Sequence, residues 1–478
     1  MHFFGHRPGS LRETLAISLP LMLASLSIYL MYFFERCVLA CFSLDALNAA
    51  VQASSLSWAF WGGMTIMAGM TEIFVSRYNT QGHSKTIGQT VWQTIWLSLA
   101  AGVVLIPIAL AASHHIYSPN SAESSYFRIS MIFGALNPLV YTLTTFFVGR
   151  GKVKWILLLT LATGVFNTGL DYALIFGIGH WLPSLGAKGA AIASSISLSV
   201  ESMILLLVFL KKSNRELFGT GAWMPRPVMM FNFIKISAFP AILYNVELWG
   251  WSVFYSMMAS TGMVHITVSS LCQSLIYLFT FIGEGLSRGT ALQASAYFAN
   301  GQLNTIRNVF RSASLILLIC FGVQILFLAI SPDLFLSTFL PMDEKSTALI
   351  PLIQMCTWLV LLYLLLQGFQ WLLSGMLCAA GKTWPMTLCG VSSLFCCLLG
   401  PTYFFIARKG LSVEWAWTLV VGYSLFCCAS YFLLFRHVRR QLEQSAEHDA
   451  SPQTLQQASP QVVAMPAEGY FGERAAAQ

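Results

Sequence analysis

Charged side chains are scarce in this chain of 478 residues: Asp, Glu, Lys and Arg make up only 9% of it, while 56% is hydrophobic. A soluble domain carries roughly 25% charged residues, so the composition excludes a soluble protein. Apolar stretches of about 20 residues or more recur along most of the chain, and each is long enough to cross a bilayer as a helix. The composition therefore indicates an integral membrane protein.

Motifs for metal binding, disulfide formation and hydrolysis are also missing. None of the 11 cysteines belongs to a CxxC pair or a Cys/His cluster, and nearly all fall in apolar stretches, where we expect packing residues. The segment from Gly375 to Thr383 reads GMLCAAGKT, but five residues separate its glycines and a phosphate-binding loop needs four. Ser/His/Asp and metal-hydrolase spacings are absent as well. We predict that the chain is not an enzyme and needs no cofactor.

The apolar stretches predict helices. They are too long and too poorly alternating for barrel strands, and only helices or closed barrels satisfy their backbone hydrogen bonds in lipid. The fold is therefore expected to be an all-α polytopic membrane protein with 12 transmembrane helices. The first stretch lacks a cleavage-like end, so it is interpreted as a span and not as a signal peptide. The predicted spans are 14–40, 46–76, 89–112, 125–149, 155–178, 187–210, 233–260, 265–295, 309–331, 347–378, 384–407 and 413–436.

The loops between these spans differ in positive charge. Loops and termini on one side hold eighteen Lys and Arg residues, against five on the other side. Basic loops stay in the cytoplasm, so we expect both termini to be cytoplasmic in a protein of the inner membrane. The net charge of +7 is therefore explained by the positive loops on the cytoplasmic side. It does not indicate nucleic-acid binding, and the expected partner is the lipid bilayer.

The chain repeats itself. Residues 71–87 match residues 290–306 at six positions when they are shifted by 219, where chance gives about one. Pro20 and Pro240 align at a shift of 220, and the Gly–Lys pairs at 151–152 and 381–382 align at 230. The six pairs are Thr71/Thr290, Ser76/Ser295, Tyr78/Tyr297, Gly82/Gly301, Thr86/Thr305 and Ile87/Ile306.

The repeat predicts two lobes of six helices each. An N-terminal lobe (1–210) and a C-terminal lobe (233–440) are joined by a cytoplasmic linker (211–232), and a disordered cytoplasmic tail follows (441–478). Six spans is an even number, so both lobes enter the membrane from the same side as a parallel repeat. This design is typical of transporters in which two halves rock about a central site, for which a monomer is sufficient.

Asp171 is the most informative residue for function. It lies in an apolar span, and Asn167 precedes it by about one helical turn, so both side chains share one face of the helix. A carboxylate inside a membrane costs several kcal/mol unless it has a partner or a wet cavity. The pair therefore indicates a site for ions, protons or a charged solute. The alternative is a neutral acid that bonds to a neighbouring helix.

Other acids in the spans are open to structural explanations. Glu284 has Arg288 four residues on, which predicts an ion pair within one helix. Glu72 lies near the cytoplasmic end of its span beside Arg77, and we expect it to reach the interface. Glu35, near the outer end of the first span, is equally open to such snorkelling.

Glu247 has an aromatic neighbourhood. It lies in the middle of the seventh span, with Tyr244, Asn245, Trp249 and Trp251 around it. An acid beside aromatic rings suits an organic cation, because charge pairing and cation–π attraction act together. The alternative is a buried neutral acid in an aromatic core.

Several segments resemble one family. Residues 167–172 (NTGLDY) and 186–191 (GAKGAA) resemble the signature of spans five and six in the multidrug and toxic compound extrusion (MATE) family. Residues 15–20 resemble its first-span opening, 78–82 and 297–301 its Gly-containing turns, and 374–377 with Gly381 the turn after span ten. The resemblance covers about residues 10–437.

This resemblance implies a V-shaped antiporter that exports cationic, lipophilic compounds in exchange for H⁺ or Na⁺. The ion-coupling residues carried over from the family are Glu35, Asn167, Asp171 and Ser194, with Na⁺ placed at Asn167 and Asp171 if that is the ion. The resemblance also implies a substrate-binding acid at Glu247 and places Gln367 at a family acid position, and the aromatic neighbours Tyr244 and Trp249 complete the predicted substrate-binding residues.

The chain also departs from the family pattern. Glu35 is longer than the usual Asp, Gln367 stands where some members have an acid, and Cys378 replaces an Arg. The runner-up function is a flippase for a lipid-linked precursor, although such proteins have cationic cavities and the acids here argue against one. A channel or a non-transporting receptor is a further alternative. The coupling ion, the solute, the oligomeric state and the role of the tail stay open.

Overall fold

The computed structural model describes residues 7–177, 183–330 and 350–449, and these are almost entirely helical. Within these three ranges there is no β-strand, as predicted for an all-α membrane protein. In chain order the helices are α1 (Leu11–Phe42), α2 (Leu44–Gly69), α3 (Thr71–Thr80), α4 (Ser84–Ile116), α5 (Ala122–Gly134), α6 (Leu136–Val148), α7 (Val153–Phe176), α8 (Ala187–Phe209), α9 (Lys212–Phe218), α10 (Pro227–Thr261), α11 (Met263–Ala299), α12 (Leu303–Ile330), α13 (Ile350–Ala379), α14 (Thr383–Ser393) and α15 (Val413–Asp449), with π-helical turns at Leu394–Leu399 and Thr402–Arg408 between the last two.

The apolar stretches correspond to these helices. Eleven helical segments in the described part of the chain are long and apolar enough to cross a membrane. The predicted second span, 46–76, lies in α2 and α3, which are divided at Met70. The predicted fourth span lies in α5 and α6, which are divided at Ala135. The prediction of an all-α polytopic membrane protein is confirmed.

The two lobes meet in a pseudo-symmetric contact between α3 and α11. Ser76 donates a hydrogen bond to the carbonyl of Leu292 at 3.0 Å, and Ser295 donates one to the carbonyl of Ile73 at 2.6 Å. The two donors, Ser76 and Ser295, are 219 positions apart, and so are the two acceptors, Ile73 and Leu292. This is the shift seen in the sequence. The repeat is therefore present in three dimensions, and its axis passes through this contact.

Turn glycines repeat in the same way. Gly82 and Gly301 have φ of +77° and +68°, and Gly151 and Gly381 have φ of +78° and +74°. This left-handed conformation strains any residue with a Cβ atom, so glycine ends the preceding helix at each position. Equivalent turns in the two lobes therefore have the same backbone conformation.

Helices α1 and α11 cross closely between the lobes. Gly285 of α11 lies against Met22 of α1, and Gly289 lies against Ser18, with no room for a Cβ atom at either glycine. Small residues let two helix backbones approach and gain dispersion contact that lipid does not provide. This crossing therefore packs the first lobe closely against the second.

The linker between the lobes is structured. It contains α9 and then a strap, residues 219–226, that lies along α4. The indole N–H groups of Trp92 and Trp96 donate to the carbonyls of Thr220 and Trp223, each at 2.7 Å. Gln93 accepts from the backbone N–H of Arg226 at 2.6 Å. The strap is therefore attached to the first lobe, and α10 begins at Pro227, inside the segment assigned to the linker.

The last helix extends beyond the second lobe. Helix α15 continues to Asp449, inside the segment 441–478 that was predicted to be a disordered tail. Residues with good helix propensity, such as Arg440, Gln441 and Glu443, account for the continuation. The remainder of the predicted tail lies outside the described residues.

Candidate functional site

Asn167 and Asp171 form the buried polar pair that the sequence predicts. Both are fully buried, and the Asn167 Nδ2 donates to the Asp171 Oδ2 at 2.7 Å. Their spacing of four residues on α7 produces this contact, since such side chains meet on one helix face. The Asn167 Oδ1 and the Asp171 Oδ1 are buried without a hydrogen-bond partner among the described residues. Buried oxygens are normally satisfied, so these two atoms are candidate ligands for a proton or a cation.

Glu35 lies beside this pair. It is only 5% exposed, and its carboxylate accepts from Tyr126 Oη at 3.0 Å and from Ser194 Oγ at 3.5 Å. Snorkelling to the interface is therefore wrong for Glu35. The Glu35 carboxylate interacts electrostatically with Asp171, and the Tyr126 hydroxyl interacts with both acids. Helices α1, α7 and α8 thus bring the four predicted ion-coupling residues into one cluster, to which α5 adds Tyr126.

Tyr126 completes this cluster and was missed in the sequence. It lies on α5, whose contact with α1 cannot be inferred from spacing within either helix. A tyrosine in a run of polar residues near the end of a span carries no specific signal. Only the packing of the lobe identifies it as a partner of Glu35.

A second polar group lies inside the C-terminal lobe. Tyr423 Oη donates to Glu247 Oε1 at 3.3 Å, and Gln367 Nε2 donates to Tyr363 Oη at 2.7 Å. Tyr363 interacts electrostatically with Glu247, so it connects the two predicted residues. Trp251 packs edge-on against Tyr363, with ring centroids 5.8 Å apart. Both tyrosines were missed because they lie on α13 and α15, far from Glu247 in sequence.

Tyr244 and Trp249 lie on α10 near Glu247 but point elsewhere. Tyr244 accepts a hydrogen bond from the indole of Trp58, on α2 of the other lobe, at 2.9 Å. Trp249 is 63% exposed. A substrate role for these two residues stays a prediction.

Arg288 pairs across the lobes, and not within its own helix. Its Nη2 lies 2.8 Å from the Glu72 Oε2. The predicted Glu284–Arg288 ion pair is therefore wrong, because the packing of α3 against α11 offers Arg288 a buried partner that helical spacing cannot reveal. Glu72 is 5% exposed, so the expectation that it reaches the interface is wrong too. Arg77 donates to the carbonyl of Ala379 at 2.9 Å.

Glu13 is a further inter-lobe contact that the sequence analysis missed. It is fully buried at the start of α1, accepts from the backbone of Gly9 at 2.6 Å, and accepts from Tyr297 of α11 at 2.7 Å. The signal was available: Ser10-x-x-Glu13 has the spacing of a helix-capping box, and Ser10 caps the backbone N–H of Glu13 at 3.3 Å. Glu13 therefore attaches the start of the first lobe to the second.

The described residues contain no group of three or more His, Cys, Asp or Glu side chains that could hold a metal ion. The cluster around Asp171 offers two carboxylates, an amide oxygen and hydroxyls. Oxygen ligands of this kind suit hard cations and protons, and not zinc or copper.

Solved structures share this architecture. A transporter of the MOP superfamily from Pyrococcus furiosus, described as having a binding pocket of reverse polarity that suggests a different function, superposes with a TM-score of 0.81 at 15% identity, over 91% of this chain and 97% of that one. An outward-facing multidrug resistance MATE family transporter superposes with a TM-score of 0.80 at 16% identity, over 91% and 98%. At these identities the likeness concerns the fold.

Curated relatives agree in sequence. The probable multidrug resistance protein NorM of Oceanobacillus iheyensis is 28% identical over 200 residues, which are 40% of this chain and 44% of that protein. The multidrug export protein MepA of Staphylococcus saprophyticus is 21% identical over 345 residues, 70% of this chain and 74% of that protein. The match to NorM thus spans less than half of its length. The MatE family model matches residues 20–173 and 240–402, one stretch in each lobe, so this chain belongs to the MatE family of multidrug and toxic compound extrusion transporters.

Proposed function

We propose that the protein is a secondary antiporter that exports an organic cation in exchange for H⁺ or Na⁺ by alternating access. The observation that carries this proposal is the buried cluster of Glu35, Asn167 and Asp171, with two oxygens that lack partners in the described structure. Two buried carboxylates that repel each other are stabilised by a bound proton or cation. The names of NorM and MepA support multidrug export as the direction of transport.

In this mechanism Asp171 is charged when the site opens to one side, and is protonated or bound to Na⁺ when it faces the other. Asn167 orients the Asp171 carboxylate, while Tyr126 and Ser194 orient Glu35. Binding of the ion removes the repulsion between the two carboxylates and lets α1, α7 and α8 repack. That repacking changes the free energy of one lobe arrangement relative to the other.

The second lobe supplies the solute side of the cycle. Glu247, beside Tyr423 and Tyr363, is positioned to interact with a cationic group. Exchange requires the ion and the solute to favour different conformations by a few kcal/mol. We expect this to occur in one monomer in the inner membrane, with both termini in the cytoplasm.

The experiment is efflux of a fluorescent organic cation from proteoliposomes under a pH gradient or a Na⁺ gradient, each imposed separately. We expect efflux under one gradient with the wild type, and none with Asp171→Asn. A matched control is Glu201→Gln, which removes an acid of α8 that lies beside Thr163 and outside the Glu35–Asp171 cluster. Wild-type efflux by Asp171→Asn contradicts the coupling role. No flux under either gradient moves the proposal toward an anionic or lipid-linked solute.

A further inference from the structure

The strap, residues 219–226, follows a membrane-spanning helix for part of its length. It starts beside the first turn of α4, where a Cβ atom at Gly219 would touch the carbonyl of Lys85. It then runs along α4 as far as Trp96, whose indole donates to the carbonyl of Trp223. From there it returns towards Gln89, whose Oε1 accepts from the Arg226 Nη1 at 2.8 Å. The strap therefore makes a shallow dip along α4, which is long and apolar enough to cross the membrane.

The depth of this dip follows from the geometry of α4. Trp96 is seven residues further along the helix than Gln89, which corresponds to about 10 Å at the rise of an α-helix. Gln89 is the first residue of the predicted span 89–112, so the contact with Gln89 lies at the edge of the apolar part and the contact with Trp96 lies inside it. In a bilayer the headgroups lie outside the acyl chains. Arg226 is therefore at the level of the headgroups, and Trp223 is at the level where the acyl chains begin.

The side chains at the lowest point of the strap are apolar and accessible. Trp223 and Met224 are 53% and 69% exposed, although their backbone carbonyls are bonded to α4. The Trp223 ring lies 6.3 Å from the ring of Trp96. Tryptophan is enriched at this level of a membrane because its ring is apolar and its N–H is polar. The two side chains are therefore in position to contact the acyl chains of a lipid.

Basic side chains collect next to this apolar point. Residues 211–226 contain four cations and one acid, Glu216, which gives the segment a net charge of +3. All four cations are exposed, and among the described residues none pairs with a carboxylate. They are Lys211, Lys212, Arg215 and Arg226. The Arg215 side chain lies along the strap, 3.9 Å from a Cβ atom placed at Gly221. The strap and α9 therefore share one positively charged surface.

This combination of charge and apolar exposure defines the partner. A guanidinium has five N–H donors and binds phosphate oxygens through parallel hydrogen bonds, so one bond to Gln89 leaves Arg226 most of its donors. A free phosphate would satisfy the cations but would make no contact with Trp223 and Met224. An acidic protein would have to enter the bilayer to reach them. An anionic phospholipid matches both parts of the surface, because basic residues at the membrane surface attract its headgroup.

We propose that Arg215 and Arg226 bind the headgroup of an anionic phospholipid, of the phosphatidylglycerol type, while Trp223 and Met224 contact its acyl chains. This inference goes beyond the proposed function and depends on neither the coupling ion nor the solute. The strap is bonded to the first lobe and leads directly into α10 of the second lobe. A lipid bound here therefore contacts the connection between the two lobes.

The test is photolabelling of the full-length protein in phosphatidylcholine nanodiscs. These contain a trace of either phosphatidylglycerol or phosphatidylcholine with a diazirine in one acyl chain, and mass spectrometry measures the label in peptides that contain Trp223. We expect the anionic probe to label these peptides about tenfold more than the zwitterionic probe, because each basic residue near the surface adds about fivefold. In Arg215→Gln combined with Arg226→Gln, the preference should fall to about twofold or less.

Three controls separate this site from net charge, from folding and from a free phosphate. Arg408→Gln combined with Lys409→Gln removes the same charge from the turn before α15, and should keep the wild-type preference. Replacing Arg215 and Arg226 by lysine keeps the charge, and should give a preference well above that of the glutamine variant. An excess of glycerol 1-phosphate, which is a headgroup without acyl chains, should not displace the anionic probe.

Four results would overturn the inference. The first is a wild-type preference in the glutamine variant of Arg215 and Arg226, and the second is an equal loss in the variant of Arg408 and Lys409. The third is a lysine variant as poor as the glutamine variant. The last is displacement of the probe by glycerol 1-phosphate, which would assign the cations to a soluble phosphate compound.

Discussion

Ser76 and Ser295 occupy equivalent positions of the two repeats, and each donates a hydrogen bond to the backbone of the other lobe, at 3.0 and 2.6 Å. The adjacent ion pair between Glu72 and Arg288 has no such counterpart, because Ala291 and Gly69 stand at the related positions. The contact thus combines a symmetric framework with one asymmetric charge pair. In the proposed alternating-access cycle, both would separate when the lobes move apart at this contact.

The first prediction concerns the Glu72–Arg288 pair. Glu72→Gln leaves Arg288 without its counter-charge, which we expect to destabilise the closed contact by up to about 3 kcal/mol, given that Arg288 is partly exposed. The population should shift toward the arrangement in which the two lobes are separated at the α3–α11 contact. Spin labels are placed at positions 83 and 302 by a chemistry that does not react with cysteine. The distance between the two labels, measured by double electron–electron resonance, should be longer in Glu72→Gln than in the wild type.

A double variant controls for loss of the charge alone. Glu72→Arg combined with Arg288→Glu restores an ion pair of opposite direction and should bring the label distance back toward that of the wild type. An unchanged distance in Glu72→Gln contradicts a gating role for the pair.

The second prediction concerns ion binding at α7. Removing the amide in Asn167→Leu takes away one candidate oxygen and the hydrogen bond that orients Asp171, so the apparent affinity for the coupling ion should fall about tenfold or more. The measurement is efflux rate against Na⁺ concentration or pH, whichever gradient drives transport. Thr168→Val, on the same helix with its hydroxyl bonded to the Gly164 carbonyl, is the matched control. Equal ion dependence in both variants would exclude Asn167 from the site.

The third prediction concerns Tyr126. Tyr126→Phe removes the 3.0 Å hydrogen bond to Glu35 and keeps the ring, at a cost of about 1 kcal/mol. We expect solute binding to stay at its wild-type level while the ion dependence of efflux changes severalfold, since the Tyr126 hydroxyl bonds to Glu35 in the ion cluster and the ring that packs in the core is kept. Tyr172→Phe, a tyrosine of α7 that is 66% exposed, should change neither quantity. A loss of solute affinity in Tyr126→Phe would mean that the two ligands share one site.

The fourth prediction concerns the crossing of α1 and α11. Valine at Gly289 has no room beside Ser18, so Gly289→Val should push the helices apart and lower transport by about tenfold or more. Gly169→Val offers the comparison, because no neighbouring atom lies within 4 Å of a Cβ placed at Gly169. Transport by Gly289→Val at the rate of Gly169→Val would show that close packing is dispensable.

Much of the fold follows from the sequence for simple physical reasons. The length of the apolar stretches predicts the helices, and the 219-residue shift predicts the repeat, which the equivalent hydrogen bonds of Ser76 and Ser295 show in three dimensions. The Asn167–Asp171 hydrogen bond follows from helical periodicity. Each of these inferences needs only local geometry or the comparison of two segments.

Contacts between distant helices could not be predicted in the same way. Arg288 prefers Glu72 of the other lobe to its helical neighbour Glu284, and Glu35 bonds to Tyr126, because packing sets which faces meet. One sequence gives no measure of that packing. The expected Glu284–Arg288 ion pair is wrong for this reason, and Glu284 accepts a hydrogen bond from Tyr29 of α1 instead.

The unequal charge pair also limits how separated halves of the chain could assemble. If two copies of the N-terminal lobe associated through the same surface, each Glu72 would face Gly69, and two C-terminal lobes would place each Arg288 against Ala291. Either homodimer leaves two buried charges without counter-ions, which is strongly unfavourable. Only a first lobe beside a second lobe gives both charges a partner at this contact.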